Sequence, residues 1–224
     1  NPVITNRRLL PTQTVKHHPM LKWNEVPELI RKIECNAHKY APQVVLCAKF
    51  ILLTGLRRQA GSNLRWDAIK TDEGKIIIDG KTEGLKRVRG ISDQIPHIVP
   101  LTEDIEKLIE KAKFYSLSNE YVFSPILSHS RYPHLDPDGV PNFIRSLGVT
   151  NYENRVFTIH GWRRTLQSEG QDVFKAPFNV VDKILGHLPR GKVARAYDWS
   201  EHVDERREFL TKWGNELTKM GMTI

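Results

Sequence analysis

His160-Gly161-Trp162-Arg163 is the stretch on which the reading of this chain turns. His160 and Arg163 stand three apart in a segment of helical pattern, so an imidazole and a guanidinium project from one face. Near a helix N-terminus such a pair makes a natural anion site. Taken alone, the word fits equally a surface helix with a capping His and solvated Arg163 and Arg164. Two further words follow in order: Leu185-Gly186-His187, then Tyr197 ten residues on. Upstream, Thr54-Gly55-Leu56-Arg57 adds a second guanidinium just after a glycine at which an apolar helix can turn. The set holds two Arg, two His and one phenol, and no paired carboxylates or metal-ligand cluster accompany it. Two forked guanidinium groups suit the non-bridging oxygens of a phosphodiester, and a phenol can attack phosphorus covalently.

The bulk properties agree with an anionic partner. The 224 residues suffice for one large domain or two small ones, and a 39% hydrophobic fraction is ordinary for a chain with a packed core. A formal net charge of +8 favours a polyanion, nucleic acid before membrane, because no basic amphipathic anchor is evident. Cys35 and Cys47 are too few and too badly spaced for a zinc site or a disulfide framework. Cys47 reads as a small buried hydrophobe, and a reduced, cytoplasmic compartment fits both. The longest apolar run, residues 44–55, is interrupted by Lys49 and is too short to span a bilayer. The opening Asn1-Pro2-Val3 lacks signal-peptide architecture and reads as a start in mid-protein.

Residues 1–20, with Pro2, Pro11, Pro19 and five basic or His positions, predict an extended basic connector. From Asn24, a plausible N-cap, Val26, Leu29, Ile30 and Ile33 repeat at helical spacing. A second helix over 43–54 is apolar nearly all round and belongs at the centre of a core. A short helix is expected over 57–64. Ile69, residues 76–78 and residues 97–99 predict three short strands, with a basic hairpin excursion over 80–94. Further helices are expected over 102–114, 139–147, 160–169, 178–187, 192–197 and 201–220, with a loop over 124–141.

The ordered set resembles the tyrosine recombinases, the phage-integrase family, and within it the integrases of satellite phages, prophages and genomic islands. The resemblance covers nearly the whole chain. It is carried by Asn1-Pro2 with Lys16-His17-His18-Pro19, by Thr54-Gly-Leu-Arg57, and by His97-Ile-Val-Pro-Leu101. It continues through Phe157-Thr-Ile-His160-Gly-Trp-Arg163, Leu185-Gly-His187, Lys192-Val-Ala-Arg-Ala-Tyr197 and the Glu205-Arg-Arg run. It implies an α+β fold, mainly α-helical with a small three-stranded antiparallel sheet. It also implies that residues 1–20 are a linker from a core-binding domain and residues 21–224 the catalytic domain.

By position, the resemblance implies that Arg57 and Arg163 clamp the scissile phosphate, that His160 and His187 hydrogen-bond it and assist proton transfer, and that Tyr197 is the nucleophile. A lysine of the hairpin after the second strand would protonate the leaving 5′ oxygen. Lys81, directly after that strand, is the first choice and Lys86 its rival. One position departs from the pattern: three residues after the first Arg, where the family carries an acid, stands Ala60. The implied activity is DNA integration or excision through a 3′-phosphotyrosyl intermediate, with neither cofactor nor divalent metal chemically required. The implied partners are double-stranded attachment-site DNA, three further copies in a tetramer on that DNA, and accessory DNA-bending proteins. The implied location is the bacterial cytoplasm at the nucleoid, with no membrane. Three rival readings remain open here: topoisomerase-like DNA relaxation by the same chemistry, a DNA-binding module of the same fold with little turnover, and, weakest, a metal-dependent nuclease using the nine His.

Overall fold

A helix that is apolar on every face has to sit at the centre of a structure. In a computed structural model of the chain, which describes residues 18–86, 92–125, 130–188 and 202–224, that helix is α2, Pro42–Thr54, buried at every position from Gln43 onward. Around it lie α1 (Val26–Asn36), α3 (Arg58–Ser62), α4 (Glu103–Tyr115), α5 (Gly139–Ser146), α6 (Ile159–Asp172), α7 (Phe178–Ile184) and α8 (Val203–Lys219). Strands β1 (Ile69–Lys70), β2 (Lys75–Ile78) and β3 (His97–Pro100) form one antiparallel sheet in that order. The fold is thus α+β, mainly helical with a single small sheet among the described residues.

The sheet register places Ile76 opposite Val99 and Ile78 opposite His97. All four side chains are buried on the face toward the helices, as the two-residue period of a strand requires. Arg206 of α8, itself buried, donates to the Ile98 carbonyl at 3.0 Å and ties the last helix to β3. Thr102 caps α4, its hydroxyl accepting from the Ile105 amide, and Glu103, Asp104 and Glu106 place negative charge in the first turn.

Two expected helix ends move. The first helix begins at Val26 with Glu25, not Asn24, at the N-cap. Pro27 must occupy the first turn, where its missing N–H costs nothing, and the chain enters through a 3₁₀ turn at Trp23–Glu25 closed by the Glu25 carboxylate on the Lys22 amide. The helix expected to run to residue 187 stops at Ile184. Gly186 takes a left-handed φ of +66°, its amide bonds the Lys183 carbonyl, and the His187 amide reaches back to the Asp182 carbonyl. That pair of bonds is a Schellman motif, which ends a helix and folds the next residue back over its last turn. The helix expected over 192–197 lies outside the described residues.

Lys49 is the one charged side chain in α2, and it is buried. Its ammonium lies 2.7 Å from Glu34 of α1 and donates at 2.7 Å to the Thr223 carbonyl, clamping residues near the end of the chain onto the central helix. Burial pulls the Lys49 pKa down, and the Glu34 carboxylate opposes that shift. Removing one member of a largely buried pair strands the other, which costs about 3–5 kcal/mol in fully enclosed cases. Lys49→Met should therefore lower the unfolding free energy by about 2–4 kcal/mol, read from urea melts. A Lys49→Met, Glu34→Leu double variant should regain most of that loss.

Candidate active site

The expected residues converge from three separate segments. Arg57 lies in the turn between α2 and α3, His160 and Arg163 in the first turns of α6, and His187 just past α7. Arg163 is the one that ties them together. It is buried, with Nη1 donating to the Gly55 carbonyl at 2.5 Å and Nη2 to the Leu185 carbonyl at 2.6 Å. One guanidinium thus pins the turn that carries Arg57 to the turn that carries His187.

Both turns depend on glycine. Gly55 has φ +67°, and a Cβ there would stand 2.9 Å from Leu166 Cδ1. Gly186 has φ +66°, and a Cβ there would come within 3.1 Å of the His97 ring on β3. Left-handed backbone and close approach coincide at both, so no other residue serves as well.

His187 has a partner that sequence reading missed. Its Nδ1 lies 2.6 Å from Asp182 Oδ1, and its Nε2 lies 3.3 Å from Arg163 Nη2. The pairing assigns the proton to Nδ1, which donates to the carboxylate and leaves Nε2 as acceptor for the guanidinium. The Schellman turn explains the geometry, since it lays residue 187 over residue 182. The available signal was a carboxylate five residues before a glycine-ended helix terminus.

The electrostatics are those of crowded cations. Burial, then the charge of Arg57, pushes the Arg163 pKa down to about 9, leaving it charged at neutral pH. Burial lowers Arg57 as well. His187 is lowered chiefly by burial and by Arg163, while its bond to Asp182 pulls the other way. His160 falls to about 4: loss of water on its inner side acts first, then electrostatic interaction with His18, Arg163, Lys86 and Arg57. Both imidazoles are neutral at pH 7.

The β2–β3 connection reaches this cluster by one part. Gln59 donates to Glu83 at 2.7 Å, Gly84 packs directly on Ala60, and Arg57 Nη1 donates to the Leu85 carbonyl at 3.4 Å. Lys86 follows, close enough for its charge to act on His160. Lys81 instead lines a cleft of about 480 Å³ with Asn63, Arg65, Asp67, Lys70 and Asp79, and none of Arg57, His160, Arg163 or His187 borders it. Tyr197 lies outside the described residues. No group of three or more His, Cys, Asp or Glu suited to a metal ion occurs among the described residues, and no helix there is long and apolar enough to cross a membrane. Cys47 is fully buried, with its thiol pushed up to about 12 by burial.

No protein-family model matches the chain. It is similar to the integrase of Enterobacteria phage P4, 26% identical over 223 residues, covering 97% of this chain and 49% of that protein. It is similar also to the prophage integrase IntZ of Escherichia coli K12, 20% identical over 217 residues, covering 97% and 49%. The chain thus spans about half the length of the curated relatives it matches. Among solved structures it shares the fold of a XerA recombinase, with a TM-score of 0.51 at 18% identity, over 97% of this chain and 69% of that one. The chain thus carries an Arg, His, Arg, His cluster on the fold of that recombinase and is similar in sequence to phage and prophage integrases.

Because His160 is depressed in the folded state, the unfolded chain binds more protons between about pH 6.5 and pH 4. Its neutral form therefore supports stability fully above about pH 6.5, and that support is lost as pH falls toward about 4. Replacing His160 by Asn should flatten the fall of the urea midpoint across this window. In Asp182→Asn, NMR titration should show the His187 ring titrating lower still, because its one anionic partner is gone.

Proposed function

We propose that the chain is the catalytic part of a site-specific DNA recombinase acting on double-stranded DNA. The observation that carries the reading is the convergence of Arg57, His160, Arg163 and His187 from three chain segments, tied by Arg163 to the carbonyls of Gly55 and Leu185. Such an array offers forked donors to a phosphodiester, and among the described residues the carboxylate paired within it, Asp182, is engaged by His187. The integrase relatives support the same reading at the level of family.

In the proposed reaction Tyr197 Oη attacks the scissile phosphorus, a P–O bond forms, and the bond to the 5′ oxygen breaks. The phenolic proton passes to His187 or its surroundings, and the 5′ oxygen takes a proton from a lysine of the β2–β3 connection. Arg57 and Arg163 stabilise charge on the pentavalent phosphorane. The 3′-phosphotyrosyl link keeps the bond energy, so attack by the 5′ hydroxyl of a second duplex completes strand exchange. Lys81 is the proposed acid because it stands at the start of the connection that follows β2. Lys86 competes because its charge already acts on His160. Residues 1–20 act as the linker to a core-binding domain, residues 21–224 as the catalytic domain, and the working assembly on attachment-site DNA is a tetramer, assisted by DNA-bending proteins.

The test is covalent trapping by the full-length protein on nicked suicide duplexes tiled across the DNA flanking its own gene. Wild type should form an adduct that survives denaturation. Tyr197→Phe should form none, with DNA affinity nearly unchanged. Binding without any adduct would reduce the protein to a DNA-binding module, and relaxation without exchange would make it topoisomerase-like. Arg57→Ala and Arg163→Ala should each slow cleavage by at least about 10²-fold, the scale of losing one transition-state donor. Replacement by Lys should restore only part, since a point charge cannot reproduce the fork.

A 5′-phosphorothiolate substrate separates the two lysines, because a thiolate leaves without a proton. Lys81→Ala should be slow on ordinary DNA and near normal on the sulfur substrate, whereas Lys86→Ala should show no such rescue. The reverse pattern would assign the acid to Lys86.

A further inference from the structure

The segment that enters the fold lies along the helix that carries His160. From His18 to Trp23 it is tied to one face of α6 at successive turns. Arg164 Nη1 donates to the His18 carbonyl at 2.6 Å, the Leu21 amide donates to Thr165 Oγ1 at 2.9 Å, and the Trp23 amide donates to Glu169 Oε2 at 3.1 Å. Residues 161, 165 and 169 recur every four positions and so form one stripe of the helix. Pro19, Met20 and Leu21 are buried, and the Trp23 ring packs 4.9 Å from Phe174 and 5.0 Å from Trp213. The strap is therefore anchored in the core at one end. At its other end the His18 ring rests on His160, with centroids 4.4 Å apart.

Gly161 is what lets the strap lie there. A Cβ at this position would overlap the carbonyl oxygen of Pro19, a backbone atom that cannot swing aside. The glycine next to His160 stands in the first turn of α6. Neither a turn nor a positive φ calls for it, so the close approach of Pro19 accounts for it.

We propose that His18 is a positioning residue of the active site, its ring seating His160, and that the 18–23 strap is the device that delivers it. The catalytic consequence rests on the recombinase reading above. Among the described residues, the charged and titratable groups acting on His160 come from four places: His18 from the strap, Arg163 on its own helix, Lys86 from the β2–β3 connection, and Arg57 from the turn before α3. Among the described residues only His18 touches the imidazole ring to ring. Its contact fixes the ring plane, while the positive neighbours hold the ring neutral for hydrogen bonding to a phosphate oxygen. Because the strap leads from residues 1–17 into the fold, any shift of what precedes it is transmitted to His160 through one ring contact.

Single-turnover cleavage of the suicide duplex by the full-length protein tests this. His18→Ala should slow cleavage about tenfold, well within what a misplaced catalytic group costs, with DNA affinity changed less than about twofold. His18→Phe, which keeps a ring against His160, should restore most of the rate. Gly161→Ala, which displaces the strap without replacing any side chain of the cluster, should repeat the loss. Wild-type cleavage in either alanine variant, a parallel fall in affinity, or failure of His18→Phe to rescue would each overturn the proposal. NMR titration of His160 supplies a readout independent of activity: in His18→Ala it should rise from about 4 toward the ordinary value of 6.5, and an unmoved titration would overturn the ring contact. If wild type traps no DNA, the recombinase reading fails, and that titration alone decides whether His18 seats His160.

Discussion

The carbonyl groups at the C-terminal end of α2 hold the site together. A helix leaves its last four carbonyls without intrahelical donors, and here those carbonyls are buried, where an unsatisfied one costs about 1–3 kcal/mol. The Leu52 carbonyl accepts from two indoles, Trp162 at 2.9 Å from α6 and Trp213 at 3.0 Å from α8. Just beyond the helix, the Gly55 carbonyl accepts from Arg163. Trp162 and Arg163 are adjacent, so they leave α6 about 100° apart and reach different acceptors on the same helix end. The negative end of the α2 dipole also favours a guanidinium there. The position of the cationic cluster is thus set by where α2 stops, and α2 stops at Gly55.

Such a site is poised rather than neutralised. Among the described residues the direct partners of Arg163 are carbonyls and an imidazole, and the nearest opposite charge acting on it, Asp182, is engaged by His187. Arg57 lies near enough to lower its pKa, and Lys86 adds to the same field at His160. A phosphodiester would relieve all of these repulsions together, and the relief would be greatest where negative charge accumulates on phosphorus oxygens. The fold accepts the repulsion because the Gly55, Leu185 and Leu52 bonds and the surrounding core hold the donors in place without the ligand. That is preorganisation in the electrostatic sense, with stability given up locally for donors that need no rearrangement.

What was legible in the sequence follows from this physics. The all-round apolar α2, the alternating strands β2 and β3, and the i, i+3, i+4 spacing of Val26, Leu29, Ile30 and Ile33 announce themselves because period and burial coincide. The residues of the cluster were legible as an ordered set of words. Their partners were not. Asp182 reads as a surface carboxylate until a Schellman turn folds His187 back over it, and His18 reads as part of a basic linker until Gly161 opens a channel for its segment. The N-cap at Glu25 rather than Asn24 likewise depended on a proline whose constraint outweighs side-chain preference. Tertiary approach, not local propensity, decided each of these.

Ala60 shows how a small residue can change the electrostatics of a site it does not touch. It is fully buried, and the missing side chain of Gly84 lets the connection settle on the α3 backbone beside it, where a Cβ on Gly84 would stand 2.7 Å from the Ala60 amide nitrogen. That contact, braced by Gln59 on Glu83, carries the Leu85 carbonyl to Arg57. The acceptor offered to Arg57 is therefore a neutral carbonyl at 3.4 Å, at the long end for such a bond and a weaker restraint than a carboxylate. A carboxylate at position 60 would hold Arg57 more firmly and cancel part of its charge. The alanine gives a guanidinium that is held less tightly but keeps its charge in full, so in the proposed reaction the final alignment of Arg57 would fall to the bound phosphate.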